Sequence, residues 1–363
     1  MAGSAVSSCR EPRVKQPSRM KITAPISTPA EVEPLVRAGA RELYCGVVPP
    51  EWIRRFNTSG VNRRVFGNLN GYADLERVID NAHTLDAEVF LVLNAQQYGE
   101  QHLDALTEIA AHFRSIGGNA AIVADISLIA SLAANVPELA IHVSSVATCR
   151  NVESARFFAQ LGARRIILPR DVTVAEIAAI ATELPELDIE AFVLNDGCVF
   201  EEGACHTVHL PMNKGGPICI DNYQFEYRTA SGEAPAERAL RRLEKNDQDY
   251  KRWLWYRFGN GFSVAPNRYP WGPCGLCAMP AMHAAGVHSV KIAGREGASE
   301  RKVKSVELVH EVLRRIEDGE PETKVRECAV GLRAAPSHCA SGYMCYYPEK
   351  RSRPEIAVHA QPA

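Results

Sequence analysis

From Lys21 onward the chain alternates two kinds of segment. Short β-branched and apolar runs read as strands: KITAPI (21–26), ELYCGV (42–47), EVFLVLN (88–94), AAIVAD (120–125), AIHVSS (140–145), RRIILPR (164–170), DIEAFVLN (188–195) and HSVKIAG (288–294). Between them, apolar residues recur at helical spacing in TPAEVEPLVRAG, YADLERVIDNAH, EQHLDALTEIAAHFRSIG, NVESARFFAQLG and TVAEIAAIATELP; SERKVKSVELVHEVLRRIEDG follows the last strand. Several of these begin at Thr, Ser or Asn or stop at Gly, as helix termini do. Eight such strand–helix units predict an α/β fold of the (β/α)8, TIM-barrel-like type. The competing architecture, an open doubly wound sheet, would normally carry a glycine-rich phosphate turn after its first strand, and none is present here.

A barrel of this kind places its reacting groups where strands end. The strand ends supply Asn94, Asp125, Arg170 with Asp171, Lys291 and Arg295, together with Tyr44, Cys45, Gln96, Ser144, Ser145, Asn195 and Asp196. Any one of these is more often a turn or rim residue, but two arginines at one mouth suit a carboxylate or phosphate ligand. Asn94, Asp125 and Asp171 are candidates for orienting such a ligand or moving protons.

The connection between the seventh and eighth strands, 196–287, is far longer than an ordinary loop, and insertions of that length are usually functional. It opens with Cys198, Cys205 and Cys219, separated by six and thirteen residues, and closes with PWGPCGLCAMPAMHAAG, which carries Cys274 and Cys277. Because neighbouring strands flank the insertion, Cys198, Cys205, Cys219 and Cys277 are expected to form one four-thiolate site. Zinc and an iron–sulfur cluster both accept four thiolates. Zinc favours paired C-x2-C knuckles, of which only Cys274 to Cys277 is one, so the wide spacings point to the cluster, with His206 and His209 as further ligands if the ion is zinc. Cys328, Cys339 and Cys345 with His338, joined by Cys274, are a lesser alternative as a second metal site in the C-terminal region, since their x10 and x5 spacing is only weakly like known ligand sets.

Eleven cysteines in an intracellular chain argue for ligation, redox chemistry or burial rather than a disulfide framework. An intracellular, cytoplasmic location is expected because the first nineteen residues lack the apolar centre of a secretory signal and no apolar run reaches membrane-spanning length. A formal net charge of −2 gives no overall field for nucleic acid, leaving Arg241, Arg242, Lys245, Lys251 and Arg252 as a local basic face interleaved with acids. Trp253, Trp255, Tyr256 and Phe258 form an aromatic stretch suited to an interface or to packing on the barrel. The expected organisation is a disordered tail (1–19), a barrel with its insertion (20–319) and a cysteine-containing extension (320–363).

The stretch EAFVLNDGCVFEEGACHTV (190–208) resembles the signature of the peptidase U32 family. IHVSSVATCRNVESARFFAQLGARRIILPRDVTVAEI, GVHSVKIAGREGASERKVKSVELVHEVL, ELYCGV and NGYADLERVIDNAH extend the resemblance over about Met20 to Gly319. Despite the family label, the resemblance implies an oxygen-independent hydroxylase carrying a [4Fe-4S] cluster on Cys198, Cys205, Cys219 and Cys277, with Cys274 a bystander. It further implies prephenate as oxygen source, an RNA base or a small aromatic quinone precursor as substrate, and a related U32-type subunit as partner. The pattern is departed from at Asn195-Asp196, at His206-Thr207-Val208 after the second cysteine, and at Ala293 in KIAGR. A metal-dependent or cysteine peptidase and a non-catalytic cluster-bearing subunit are the alternatives; no H-E-x-x-H motif supports the first.

Overall fold

The computed structural model describes residues 19–56, 60–64, 66–198, 202–203, 225–259, 264–342 and 344–350, with side chains for all of these except 252–259. Cys205, Cys219, His206, His209, the aromatic stretch, Arg252 and the first eighteen residues therefore lie outside the described residues or side chains.

The strands are β1 (Lys21–Pro25), β2 (Glu42–Val47), β3 (Asn68–Leu69), β4 (Glu88–Leu93), β5 (Ala120–Val123), β6 (Ala140–Val143), β7 (Ala163–Ile167), β8 (Asp188–Leu194) and β9 (Ser289–Ile292). Eight of them pair in parallel in the order β1-β9-β8-β7-β6-β5-β4-β2, and β1 pairs again with β2 to close the barrel. The register at the seam is Thr23 opposite Glu42 and Lys21 opposite Ser289. All eight expected strands are barrel strands. The ninth, β3, is a two-residue addition beside the end of β2, too short for periodicity to reveal.

Around the barrel run α1 (Val32–Ala38), α2 (Pro50–Phe56), α3 (Tyr72–Thr84), α4 (Glu100–Ser115), α5 (Ile126–Asn135), α6 (Val152–Gln160) and α7 (Val174–Glu183). The long insertion contributes α8 (Glu237–Gly259) and α9 (Met279–Ala284), and α10 (Ser299–Glu317), α11 (Glu322–Arg333) and α12 (Pro336–Ser341) follow β9. No helix among the described residues is long and apolar enough to cross a membrane.

Successive strand residues point to opposite faces, so alternate positions face the barrel axis. One inward layer is charged. Arg165 donates to both oxygens of Glu42 at 2.7 and 2.8 Å and to Glu190 at 2.8 Å, while Thr23 and Ser289 also donate to Glu42. His142 stacks edge-on against Phe90 in the same layer, with ring centroids 4.6 Å apart. Two residues further along each strand, Tyr44, Val92, Ile122, Ser144, Ile167, Phe192 and Lys291 line the cavity at the C-terminal mouth.

The segment beyond α10 is part of this body. Tyr346 and Tyr347 are buried, and the Tyr347 hydroxyl donates to the Phe192 carbonyl of β8 at 2.9 Å. Cys274 pairs as an isolated bridge with both Leu194 and Cys345, tying the end of β8, the close of the insertion and the chain beyond α12 together.

Candidate active site at the barrel mouth

The mouth encloses a cavity of about 180 Å³ walled by strand ends and by the loops before β3 and after β8. Of the residues expected to act, Asn94, Arg170, Lys291 and Arg295 line it, and Asp125 and Asp171 do not. Asp125 caps α5 instead: its carboxylate accepts from the backbone N–H of Leu128 at 2.9 Å and from that of Tyr98 at 3.1 Å. Asp171 stands outside the cavity in an ion pair with Arg150 at 2.8 Å.

Five cations line the cavity: Arg64 pairs with Glu296 at 3.3 Å and Asp196 at 3.8 Å, and the other four differ in their partners. Arg170 lies with its Cζ 3.6 Å from the Phe192 ring centroid and donates to Glu202 from its backbone N–H, at 3.1 Å, and from its guanidinium. Burial disfavours the charge on Arg170, but Glu202 and Tyr346 more than offset it, so its pKa is raised. Glu202, which also accepts from Ser145 Oγ at 2.7 Å, is pushed up by burial and drawn down further by Arg170, for a net lowering. Lys291 reaches Glu190 at 2.6 Å and sits 4.0 Å from the Tyr44 ring centroid; burial, only partly countered by Glu190, lowers its pKa.

Arg295 and Arg63 differ from these two. Arg295 is 5% exposed, and burial lowers its pKa; it donates to the amide oxygens of Asn62 at 3.0 Å and Asn68 at 3.3 Å. Arg63 donates to the amide oxygen of Gln96 at 2.7 Å. Neither guanidinium forms an ion pair among the described residues, although Glu296 attracts Arg295 through space. A buried charge without an ion-pair partner is costly unless a ligand supplies one, which makes Arg295, with the half-buried Arg63 beside it, the candidate for holding an anion. Gly46 makes room for it: a Cβ there would stand 2.3 Å from Arg295 Nη1 and 2.1 Å from Asn68 Oδ1.

The chain leaves β8 through two consecutive left-handed residues, Asn195 (φ 65°) and Asp196 (φ 45°). A conformation that L-residues rarely adopt persists only when its surroundings hold it. Here the Asn195 N–H donates to the Pro273 carbonyl at 2.8 Å and its side-chain amide to Ser305 at 2.9 Å, and Tyr346 donates to the Asp196 carbonyl at 3.0 Å. This corner aims Cys198 into the mouth, where it lines the cavity beside Gly197 and Glu202.

The family model for Peptidase family U32 matches residues 27–354. The chain belongs to this family. The U32 match runs beyond Gly319, where the motif resemblance ends, in keeping with the docking of the last helices onto the barrel. Among curated proteins, the U32 chain is 28% identical over 172 residues to the tRNA hydroxylation protein P of Haemophilus influenzae, an overlap of 47% of this chain and 37% of that protein. It is 26% identical over 235 residues to the 23S rRNA 5-hydroxycytidine C2501 synthase of Escherichia coli K12, covering 63% of this chain and 33% of that one. The chain thus spans about a third of these relatives' length. A solved U32 peptidase structure aligns at 14% identity and a TM-score of 0.44, over 80% of this chain and all of the other.

Cys198 lines the mouth, Cys205 and Cys219 lie outside the described residues, and Cys277 lines a second cavity with Cys274, Cys339 and Cys345. Among the described residues no three His, Cys, Asp or Glu side chains are already drawn to metal-coordinating spacing. The described members of the implied set therefore do not share one cavity. Cys274, expected to be a bystander, and His338 line the second cavity; Cys328 does not.

Two residues that matter at the mouth, Glu202 and Arg63, were not singled out by sequence. Glu202 acquires its role only when its loop closes on Ser145 and Arg170, and Arg63 lies in an aperiodic loop. Neither position carries a spacing signal.

Proposed function

We propose that the mouth is the active site of an RNA-base hydroxylase. The observation that carries this reading is the pair of guanidiniums with no ion pair among the described residues, Arg295 and Arg63, at a 180 Å³ cavity on the C-terminal face of a barrel whose curated relatives are named for tRNA and rRNA hydroxylation. A cavity of that volume admits one splayed-out base or one small acid, not a folded RNA segment. Replacing a base C–H by C–OH removes two electrons and needs an oxygen donor. A carboxylate-bearing donor of the prephenate type would be held by Arg295 and Arg63 through charge-assisted hydrogen bonds. Phe192 and Tyr44 give an apolar wall for a ring, Arg170 is fixed by Glu202, and Lys291 stands at the floor with a lowered pKa, suited to moving a proton.

A [4Fe-4S] cluster, with zinc as the alternative, belongs to this proposal through the loop after β8, where Cys198 opens on the cavity and Cys205 and Cys219 follow in sequence. The described residues lining the cavity include Cys198, Ser144 and Ser145 but no histidine, which disfavours a peptidase built on a His-activated nucleophile. An RNA target would place the protein's work in the cytoplasm. A related U32-type subunit as partner is read by co-purification with the tagged full chain.

The test is expression of the full chain in cells lacking their own U32 hydroxylases, followed by nucleoside mass spectrometry of tRNA and rRNA. One nucleoside should gain one oxygen, and Arg295→Ala should abolish the gain while leaving the protein folded. An RNA nucleoside profile unchanged by the wild-type chain would overturn the reading.

A further inference from the structure

The connection between β2 and β3 concentrates charge of one sign. Between Val48 and Gly67 the chain carries Arg54, Arg55, Arg63 and Arg64 against a single acid, Glu51. Arg63 and Arg64 line the mouth cavity, and Arg54 and Arg55 are exposed on α2, where neither forms an ion pair among the described residues. The same connection leaves two large apolar side chains in water, Phe66 at 71% exposure and Ile53 at 49%. Both belong to the mouth side of the barrel, because α2 starts at Pro50, directly after β2 ends at Val47.

Phe66 is held out from a chain that is fastened on either side of it. The Arg64 carbonyl accepts from the Asn68 amide at 2.9 Å, the Arg64 N–H donates to Asn62 Oδ1 at 3.0 Å, and the Arg63 guanidinium is tied to Gln96 at 2.7 Å. Gly67 is packed so closely that a Cβ there would stand 2.8 Å from Arg295 Cβ, which puts Phe66 one residue from the wall of the cavity. α2 is pinned in turn by the buried Trp52, whose ring centroid lies 4.5 Å from that of Phe56 and 5.3 Å from that of His102. An aromatic ring presented from fastened backbone can be contacted at little cost in ordering.

We propose that this rim is the surface on which the RNA strand lies, with Phe66 stacking on the base beside the one admitted to the cavity and Arg54 and Arg55 facing the phosphates next to it. The proposal rests on the RNA-hydroxylase reading and adds where that substrate is gripped. The cavity of about 180 Å³ takes one unstacked base, so the base beside it loses a stacking partner. An exposed ring at the rim replaces that partner, whichever base it is.

Charge favours the same surface. With a formal net charge of −2, attraction of phosphates has to be local. The basic face of α8 is compensated from within, Arg241 pairing with Glu237 and Lys245 with Asp249 at 3.8 Å. Arg64 is likewise engaged, by Glu296 and Asp196. Arg54 and Arg55 have no such partners among the described residues and lie in the same connection as the exposed ring.

The experiment is fluorescence anisotropy of the purified full chain with a labelled single-stranded RNA of mixed sequence, over a series of salt concentrations and with unfractionated tRNA as competitor. Phe66→Ala should weaken binding roughly five- to a hundredfold, the size of one lost base–aromatic stack, and Phe66→Trp should restore it. Arg54→Gln combined with Arg55→Gln should flatten the slope of log affinity against log salt by about 1.4, two phosphates at about 0.7 each. These are surface changes, so urea midpoints should match that of the wild type. Should a variant fold poorly, the wild-type chain decides: photocrosslinking of RNA substituted with 4-thiouridine should mark the peptide that carries Phe66. RNA affinity unchanged in Phe66→Ala, a salt slope unchanged in the arginine pair, or crosslinks confined to α8 would each overturn the assignment. So would an altered oligomeric state of Phe66→Ala with RNA affinity intact, which would make the rim a protein interface. Wild type that binds no RNA even at low salt would overturn the proposed function together with this surface, whereas RNA binding that depends on Phe66 without hydroxylation of any nucleoside would count against the proposed function and leave the surface standing.

Discussion

Arg295 is positioned by residues that never touch a ligand. Its guanidinium crosses β2 over Gly46 and is clasped by Asn62 and Asn68, so the absence of a side chain at residue 46 is what admits it to the mouth. Gly46→Ala therefore acts on Arg295 at a distance: the new methyl meets Nη1 and the Asn68 amide, and the flexible arginine is the part that yields. Both Gly46→Ala and Arg295→Ala are expected to weaken binding of a prephenate-like dicarboxylate roughly ten- to a hundredfold, the size of a lost charge-assisted hydrogen bond. Isothermal titration of the purified variants measures this. Unchanged affinity in Gly46→Ala with Arg295→Ala impaired would show that Arg295 reaches its ligand by another path.

At the scale of elements, one residue can meet two descriptions in a β/α unit. The acid that follows a strand sits at the catalytic face and is also the N-cap of the next helix, which is why Asp125 reads as catalytic in the sequence and caps α5 in the structure. The two roles separate experimentally. Asn caps as well as Asp, so Asp125→Asn should keep both stability and the proposed RNA hydroxylation, whereas Asp125→Ala should lose about 1 kcal/mol in urea unfolding with activity of the folded fraction intact. Abolished activity in Asp125→Asn would return the residue to the chemistry. The strands themselves were legible because both faces are buried, one by helices and one by the barrel interior, and continuous runs such as EVFLVLN record that directly. What stayed hidden depends on loops closing on the mouth: Glu202 meets Ser145 and Arg170, and Arg63 meets Gln96, only once the barrel is formed, and no local pattern announces those partners.

The molecule as a whole is built around a charged layer in the barrel interior, and that layer makes its stability sensitive to acid. His142 is buried there among Arg165 from β7, Lys291 from β9, Glu42 from β2 and His288 just before β9; burial first, then Arg165, hold its pKa well below the ordinary value, with Glu42 opposing. His288 and His338 are lowered as well, each mainly by burial. A histidine depressed by folding stays neutral in the native state while the unfolded chain takes up a proton below its ordinary pKa of about 6.5. Its contribution is therefore complete above that pH and declines as the pH falls. One that remains neutral down to pH 5 costs about 2 kcal/mol between pH 7 and 5. The carboxylates act later. Glu42 and Glu202 have net lowered pKa values because Arg165 and Arg170 outweigh burial, so their contributions are lost only below the unfolded value of about 4.3. Urea midpoints should therefore fall in two stages, the first between pH 7 and 5 and the second below about pH 4. His142→Phe, which keeps a ring against Phe90 and removes one proton site, should shrink the first stage to the share of His288 and His338 and leave the second. An identical first stage in parent and variant would show that the barrel interior admits water and protons freely.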